Sequence, residues 1–223
     1  MTDPPNASSR SAAAGAAIYT KPLLSVYDLA VIQISNRLAW RCPAQHTLAF
    51  YNAHISANHL EVGVGTGYYL DRCTFPSSTP RLVLVDLSPN SLQLAAQRLQ
   101  RYSPTVLLAD VLEPVQHDGS RFDSIALNYL LHCLPGTMLS KRVVFENVKP
   151  LLSPAGIVFG STILGQGLRP NLLARELMRL YNARRIFSNT NDKLSDLEAI
   201  LKHSFREYWT TVIGCVAFFN ARL

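Results

Sequence analysis

A glycine-rich stretch, HLEVGVGTGYYLDR at residues 59–72, carries the clearest chemical signal in the chain. Gly63, Gly65 and Gly67 alternate after an apolar run that is typical of a strand, and a helix is predicted to follow them. Such a turn leaves backbone N–H groups bare at a helix N-terminus, where a ligand can pack against them. In the dinucleotide pattern GxGxxG the third glycine comes one residue later, at the position that Tyr68 fills here. The turn therefore predicts a ligand without pyrophosphate.

Acidic residues accompany this turn and the ends of the next two predicted strands. Glu61 precedes the turn, where a carboxylate attracts a ligand ammonium group and repels a phosphate. Asp86 ends the strand LVLVD and suits ribose hydroxyls, and Asp110 ends TVLLAD and suits an adenine amino group. The ligand that needs all three acids and no phosphate is S-adenosylmethionine, with S-adenosylhomocysteine as its demethylated product.

The motifs EVGVGTG, VDLSP and ADVLEP together resemble the class I S-adenosylmethionine-dependent methyltransferases over roughly residues 45–223. The resemblance implies an α/β, Rossmann-like seven-stranded sheet of order 3-2-1-4-5-7-6 whose last strand is antiparallel, with helices on both faces and a small helical cap. It also implies roles for individual residues. The cofactor-binding positions would be Glu61, Gly63, Gly65 and Gly67 at the methionine end, Asp86 at the ribose, Leu87, Asp110 and Val111 at the adenine, and Asn128 near the transferred methyl group.

The candidate catalytic residues are His132 and Tyr129, which lie just beyond the fourth predicted strand in NYLLHCLPG. Methyl transfer is an in-line displacement at a carbon that the sulfonium already activates, so the protein mainly aligns the acceptor and excludes water. A phenol or enol acceptor must also lose a proton, for which His132 is the candidate general base. In the alternative interpretation, His132 is a capping or half-buried histidine packed near Pro135, and Asp110 likewise only caps the turn after it.

Two other kinds of site are not favoured by the sequence. Methylases of exocyclic base amines share a [DN]-P-P-[FYW] motif after the fourth strand, but residues 128–131 read NYLL, and no extra domain supplies a recognition surface. A divalent metal would need carboxylates where Asn128 stands, so a metal-free site is predicted. The four cysteines form no CxxC pair, which argues against a zinc site or a disulfide framework.

Strand-like and helical patterns alternate along the chain, as in a parallel sheet that is covered on both faces. The clearest helix is at 89–101, with Ser88 as its N-cap and Pro89 at its first position. The segment SDLE at 195–198 is typical of a capping box, and the last twenty or so residues form a predicted hairpin around Gly214. The predicted strands are 57–62, 81–86, 104–108, 122–127 and 156–164.

The length of 223 residues suits one substantial domain, and 48% apolar against 16% charged residues indicates a folded chain. Residues 1–17 are predicted to be a disordered tail and 18–52 an N-terminal helical lid, with Tyr19 and Tyr27 over the methionine end of the cofactor. Residues 53–223 would form the methyltransferase domain, with a cap insert at about 165–192. A cytoplasmic monomer or homodimer without membrane or nucleic-acid partners is predicted, and the net charge of +6 is interpreted as scattered surface charge.

These observations predict a methyltransferase that acts on a small organic acceptor, at an oxygen of a phenol, enol or carboxyl group of a secondary metabolite. Three alternatives remain. A protein of the same fold could use the cofactor for a non-methylating reaction such as a cyclisation. A non-catalytic partner subunit is a second alternative, although its usual mark is an eroded glycine motif and this motif is intact. A nicotinamide-dependent oxidoreductase is the third.

Overall fold

The computed structural model describes residues 34–116 and 119–223. Its seven-stranded sheet has the order β3-β2-β1-β4-β5-β7-β6, in which β7 pairs antiparallel with β5 and β6 and the other neighbours are parallel. This confirms the predicted Rossmann-like fold and the terminal hairpin. The strands are β1 (Asn58–Val62), β2 (Arg81–Asp86), β3 (Thr105–Leu108), β4 (Phe122–Asn128), β5 (Leu152–Ile163), β6 (Glu207–Ile213) and β7 (Val216–Arg222).

Helices cover both faces of this sheet. The Ser88 hydroxyl accepts a hydrogen bond of 3.3 Å from the backbone N–H of Ser91, with Pro89 at the first helical position, which confirms the predicted N-cap. The helix that follows ends at Arg98, and a 3₁₀ turn continues it over Gln100–Tyr102. The helices of the described residues are α1 (Asn36–Leu38), α2 (Ala44–His54), α3 (Tyr68–Arg72), α4 (Pro89–Arg98), α5 (Arg142–Val148), α6 (Leu172–Ala183) and α7 (Leu194–Ser204).

Alternate residues of the buried strands pack into two different core layers. Leu82 and Leu84 pack with residues of α2, α3 and α4, whereas Val83 and Val85 pack with residues of α5 and α7. This follows from the strand period of two, because every second side chain points to the same face. Both faces are apolar because both are covered by helices, as parallel sheets require.

Two element boundaries differ from the sequence prediction. α7 begins at Leu194, so Ser195 lies inside the helix and the predicted capping box is wrong. Glu198 instead accepts a hydrogen bond of 2.8 Å from the Thr210 hydroxyl, because β6 returns beside the helix. β5 begins at Leu152 rather than at 156, since the chain already pairs with β4 before a register shift. Most of the predicted helix at 22–40 lies outside the described residues.

Candidate active site

The glycine turn at 63–67 joins β1 to α3 at the carboxyl edge of the sheet. All three glycines have positive φ angles: 74° at Gly63, 53° at Gly65 and 71° at Gly67. A Cβ atom at Gly63 would lie 2.8 Å from Leu130 Cδ1, and one at Gly67 would lie 3.2 Å from Ala95 Cβ, whereas a Cβ at Gly65 would meet no atom within 4 Å. Two glycines therefore allow close packing, and Gly65 faces open space where a ligand can lie against the backbone.

Asp86 ends β2 beside this turn. Its Oδ2 accepts a hydrogen bond of 3.3 Å from the N–H of Gly65, and its Oδ1 accepts one of 2.8 Å from the N–H of Ser88. Burial raises the pKa of this carboxyl, and the hydrogen bonds from Ser88 and Gly65 oppose that shift. The structure thus places the predicted ribose acceptor next to Gly65, the glycine that faces open space.

Asp110 and Val111 follow β3, the neighbour of β2. Asp86 and Leu108 are register partners, so Asp110 stands at the same edge of the sheet, two residues beyond the end of the pairing. Its Oδ1 accepts a hydrogen bond of 2.9 Å from the N–H of Leu112, which is the turn-capping interaction of the alternative interpretation. This bond occupies one carboxylate oxygen of Asp110. The role of Asp110 at the adenine stays a prediction. Val111 is buried, and Leu87, which follows Asp86, is half-buried.

Glu61 lies beneath the turn in a buried hydrogen-bond chain. The Tyr51 hydroxyl donates to Oε1 at 2.6 Å, and Nε2 of His59 lies 3.1 Å from Oε2. Nδ1 of His59 lies 2.7 Å from the Ser124 hydroxyl. All four side chains are at most 3% exposed. Tyr51 and His59 were not predicted from the sequence, although for His59 a signal was present, because His59 and Glu61 alternate along one strand and must share a face.

Asn128 ends β4 on the same face of the sheet as Glu61. Its Oδ1 accepts a hydrogen bond of 3.0 Å from the Ser161 hydroxyl. Its Nδ2 is buried and has no hydrogen-bond partner within 3.5 Å in the described ranges 34–116 and 119–223, although the amide lies close enough to the Tyr51 hydroxyl to oppose the raised pKa of that phenol. Buried polar groups are almost always paired, so this amide is a donor that a bound ligand can satisfy. The role predicted for Asn128 near the transferred methyl group stays a prediction.

Tyr129 has a strained backbone at the tip of β4. Its φ angle is +52°, which is uncommon for a residue with a side chain and recurs at functional sites. Its ring stacks on Tyr69 with centroids 6.2 Å apart, and its hydroxyl lies 3.4 Å from the Thr47 hydroxyl. Burial and the nearby Tyr69 hold the pKa of the Tyr129 phenol well above its ordinary value. At neutral pH this group is therefore a proton donor rather than a base.

His132 lies in the 3₁₀ turn Leu131–Cys133, only 3% exposed. Its Nδ1 accepts a hydrogen bond of 3.3 Å from the N–H of Ile163, so the neutral ring carries its proton on Nε2. Phe187 packs edge-on at 4.5 Å between ring centroids. Burial, together with the charge of Lys141, lowers the pKa of His132 to about 3. These contacts make His132 a fully buried histidine rather than the half-buried one of the alternative interpretation, and its role as general base stays a prediction.

The predicted lid lies partly outside the described residues, whereas the predicted cap insert lies within them. Tyr19 and Tyr27 lie outside the described residues. The insert at 165–192 contains α6, whose N-cap Asn171 accepts a hydrogen bond of 2.8 Å from the N–H of Ala174. The amide of Asn171 also donates to the carbonyl of Leu38 at 2.8 Å, so the insert contacts the N-terminal part of the described chain.

Neither a metal cluster nor a membrane-crossing helix is found in the part of the chain that the structure describes. Within residues 34–116 and 119–223, no group of three or more His, Cys, Asp or Glu side chains could hold a metal ion. None of the helices in these ranges is long and apolar enough to cross a membrane.

The chain is similar in sequence to known methyltransferases. A family model described as a methyltransferase domain matches residues 60–158. The chain is 42% identical to the demethylluteothin O-methyltransferase of Streptomyces thioluteus, over 93% of this chain and 90% of that protein. It is also 42% identical to the physcion biosynthesis cluster O-methyltransferase of Aspergillus chevalieri, over 93% of this chain and 94% of that protein.

Solved structures share the fold at low identity. The DhpI complex with S-adenosylhomocysteine has a TM-score of 0.69 at 15% identity and covers 95% of this chain and 96% of that one. The N-methyltransferase NodS from Bradyrhizobium japonicum WM9, in complex with S-adenosylhomocysteine, has a TM-score of 0.61 at 17% identity, with 97% and 98% coverage. With relatives at 42% identity over nearly the whole length, the chain belongs to the class I S-adenosylmethionine-dependent methyltransferases.

Proposed function

We propose that this methyltransferase transfers a methyl group from S-adenosylmethionine to an oxygen atom of a small secondary metabolite. The observation that carries the proposal is the 42% identity, over 93% of the chain, with the demethylluteothin O-methyltransferase. The physcion-cluster O-methyltransferase supports the same acceptor atom at the same identity. NodS, described as an N-methyltransferase, shares only 17% identity and therefore weighs less on the choice of acceptor atom.

The residues at the carboxyl edge of the sheet fit this cofactor. Open space at Gly65 leaves room for a ligand against the backbone, and the unpaired Nδ2 of Asn128 offers a buried donor. We assign Asp86 to the ribose, with Leu87 against the adenine face and Asp110 and Val111 at the adenine edge. Glu61 and the glycines serve the methionine end. When bound, the cofactor supplies a methyl group that its sulfonium already activates.

The chain's own part in the reaction is to orient the acceptor, exclude water and manage one proton. Contacts with Tyr69 and Thr47 hold Tyr129 although its backbone is strained, which suits a residue that positions an acceptor. With a pKa of about 3, His132 accepts protons weakly at neutral pH. An acceptor hydroxyl that is acidic in its own right suits this weak base, and phenols, enols and carboxylic acids meet that condition.

The test uses methyl-labelled S-adenosylmethionine with matched acceptors that differ only in the accepting atom, such as a phenol and the corresponding aniline. We expect S-adenosylhomocysteine to form in step with an O-methyl product, which mass spectrometry locates, and rates to rise with the acidity of the phenol. An N- or C-methyl product would contradict the proposed acceptor atom. Conversion of the acceptor without S-adenosylhomocysteine would instead indicate the non-methylating alternative.

A further inference from the structure

The carboxylate of Glu61 is buried without a cationic side chain to balance it. Within the described residues no Lys or Arg lies at ion-pair distance from it, and its one ion-pair contact is with Nε2 of His59 at 3.1 Å. Both of its oxygens are nevertheless occupied, one by the Tyr51 hydroxyl and the other by His59. A carboxylate is an acceptor-only group, and each of its oxygens thus has a donor.

The hydrogen-bond chain can be completed with His59 uncharged. The Ser124 hydroxyl donates to Nδ1 of His59, and Nε2–H of His59 then donates to Glu61. The Ser124 oxygen accepts from the N–H of Ser56 at 2.9 Å, and the Ser56 hydroxyl donates to the carbonyl of Asn58 at 2.9 Å. Every donor and acceptor has a partner, and the group as a whole keeps one negative charge beneath the glycine turn.

We infer that Glu61 serves the cofactor by its charge rather than as a direct hydrogen-bond partner, with Tyr51 and His59 as positioning residues that hold it beneath the turn. This inference rests on the proposed function. A buried, uncompensated charge is costly, and a ligand with net positive charge relieves that cost. S-adenosylmethionine carries one positive charge more than S-adenosylhomocysteine, because its sulfonium becomes a neutral thioether. Glu61 should therefore favour the methyl donor over the product.

Glu61→Gln tests the charge alone, because the chain of hydrogen bonds can reverse around an amide. The new amide N–H donates to Nε2 of His59, and Nδ1–H donates to Ser124. The Ser124 hydroxyl then donates to Ser56, whose oxygen lies 2.8 Å away, and Tyr51 still donates to the remaining carbonyl oxygen. The variant thus loses one charge and keeps every hydrogen bond, and the second N–H of its amide, which gains no acceptor, should weaken both ligands equally.

Calorimetric titration of the wild type and Glu61→Gln with both ligands measures this effect. We expect the variant to lose about tenfold more affinity for S-adenosylmethionine than for S-adenosylhomocysteine, a ratio typical of one charge pair within about 10 Å at an effective dielectric constant of about 20. Asp123→Asn is the matched control, since it removes an exposed carboxylate at the other end of β4 and should leave the affinities for both ligands unchanged. Equal losses for both ligands in Glu61→Gln, within twofold, would overturn the inference and leave the proposed function intact.

A crystal structure of the wild type with S-adenosylhomocysteine gives a second test that needs no variant. We expect Tyr51 and His59 to remain on the two oxygens of Glu61 and the ligand ammonium to be bound elsewhere. An ammonium that displaces either donor and binds Glu61 directly would overturn the inference. Failure of the wild type to bind either ligand would overturn the cofactor assignment and this inference with it.

Discussion

Asp86 is the residue through which the ribose assignment can be tested most simply. In Asp86→Ala, cofactor binding should weaken by one or two hydrogen bonds to a charged group, about 1.5–3 kcal/mol. Calorimetry with S-adenosylhomocysteine measures the loss. Asp123→Ala is a suitable control, because Asp123 is an exposed acid at the other end of β4 that accepts from Ser153 and Asn58. Unchanged affinity in Asp86→Ala would remove Asp86 from the ribose role.

Gly65 tests the bare backbone of the turn. Gly65→Val should place a side chain in the open space and abolish cofactor binding, while the positive φ of +53° adds roughly 1–2 kcal/mol of strain. Gly167→Val is the matched control, because Gly167 has a φ of +78° and a Cβ there would also meet no atom within 4 Å. Binding should survive in the control. Retained affinity in a folded Gly65→Val variant would show that no ligand approaches this residue.

His132 couples the fold to pH. Its pKa is about 3 in the folded chain, below its ordinary value of 6.5, so the unfolded chain binds this proton first as the pH falls. His132 therefore costs stability increasingly as the pH drops from 6.5 towards 3. Urea unfolding from pH 7 to 4.5 should show a shallower loss of stability in His132→Gln than in the wild type. Parallel curves for the two proteins would contradict a buried, neutral His132.

The general-base prediction for His132 has its own test. His132→Ala should lower turnover and leave cofactor affinity nearly intact, because Nδ1 contacts β5 rather than the glycine turn. With a pKa of about 3, His132 is already unprotonated at neutral pH. The pH profile of wild-type turnover should therefore show no inflection near pH 6.5 from this residue. Wild-type turnover in His132→Ala would reject the base assignment.

At the scale of elements, a buried ion pair fixes the turn that ends the cap insert. Lys141 Nζ lies 2.6 Å from Asp192 Oδ2 and donates to the carbonyl of Ser188 at 2.7 Å, and both charged side chains are at most 1% exposed. The N–H of Ser188 donates to the carbonyl of His132 at 2.8 Å. The pair therefore connects the insert to the turn that carries the candidate base.

Removing one partner of this pair leaves the other charge buried. Lys141→Met should lower the free energy of unfolding by about 3–5 kcal/mol, whereas Lys141→Met combined with Asp192→Leu should recover most of the loss. Urea denaturation of the two variants measures this. The exposed pair between Arg142 and Glu146 is the control, since its removal should cost no more than about 1 kcal/mol. A small loss of stability in Lys141→Met would contradict this expectation, because it would show that Asp192 stays buried at little cost without a cationic partner.

The alternation of strands and helices predicted a parallel sheet covered on both faces, whereas the strand order was implied by the resemblance to the methyltransferase family. The N-cap Ser88 and the helix start at Pro89 could also be predicted, since an N-cap depends on the local backbone. The false capping box at Ser195 shows the limit of such motifs. Glu198 accepts a hydrogen bond from Thr210 of β6, and a local sequence pattern cannot predict a partner so far along the chain.

At the scale of the whole molecule, the site was predictable where it depends on strand ends and not where it depends on packing between elements. Gly65, Asp86 and Asp110 all follow strands whose carboxyl ends meet at one edge of the sheet. Tyr51 comes from α2 and reaches Glu61 only because that helix packs on the sheet. The deep burial of His132 likewise arises from β5 and the insert, which no local pattern reveals.

The central claim is that the glycine turn and the acids at neighbouring strand ends enclose an adenosine joined to an amino acid. Titration of the pure wild-type protein with S-adenosylhomocysteine and, separately, with NAD⁺ tests it most directly. We expect saturable binding of S-adenosylhomocysteine and no measurable heat with NAD⁺. Saturable binding of NAD⁺ together with no response to S-adenosylhomocysteine would contradict it.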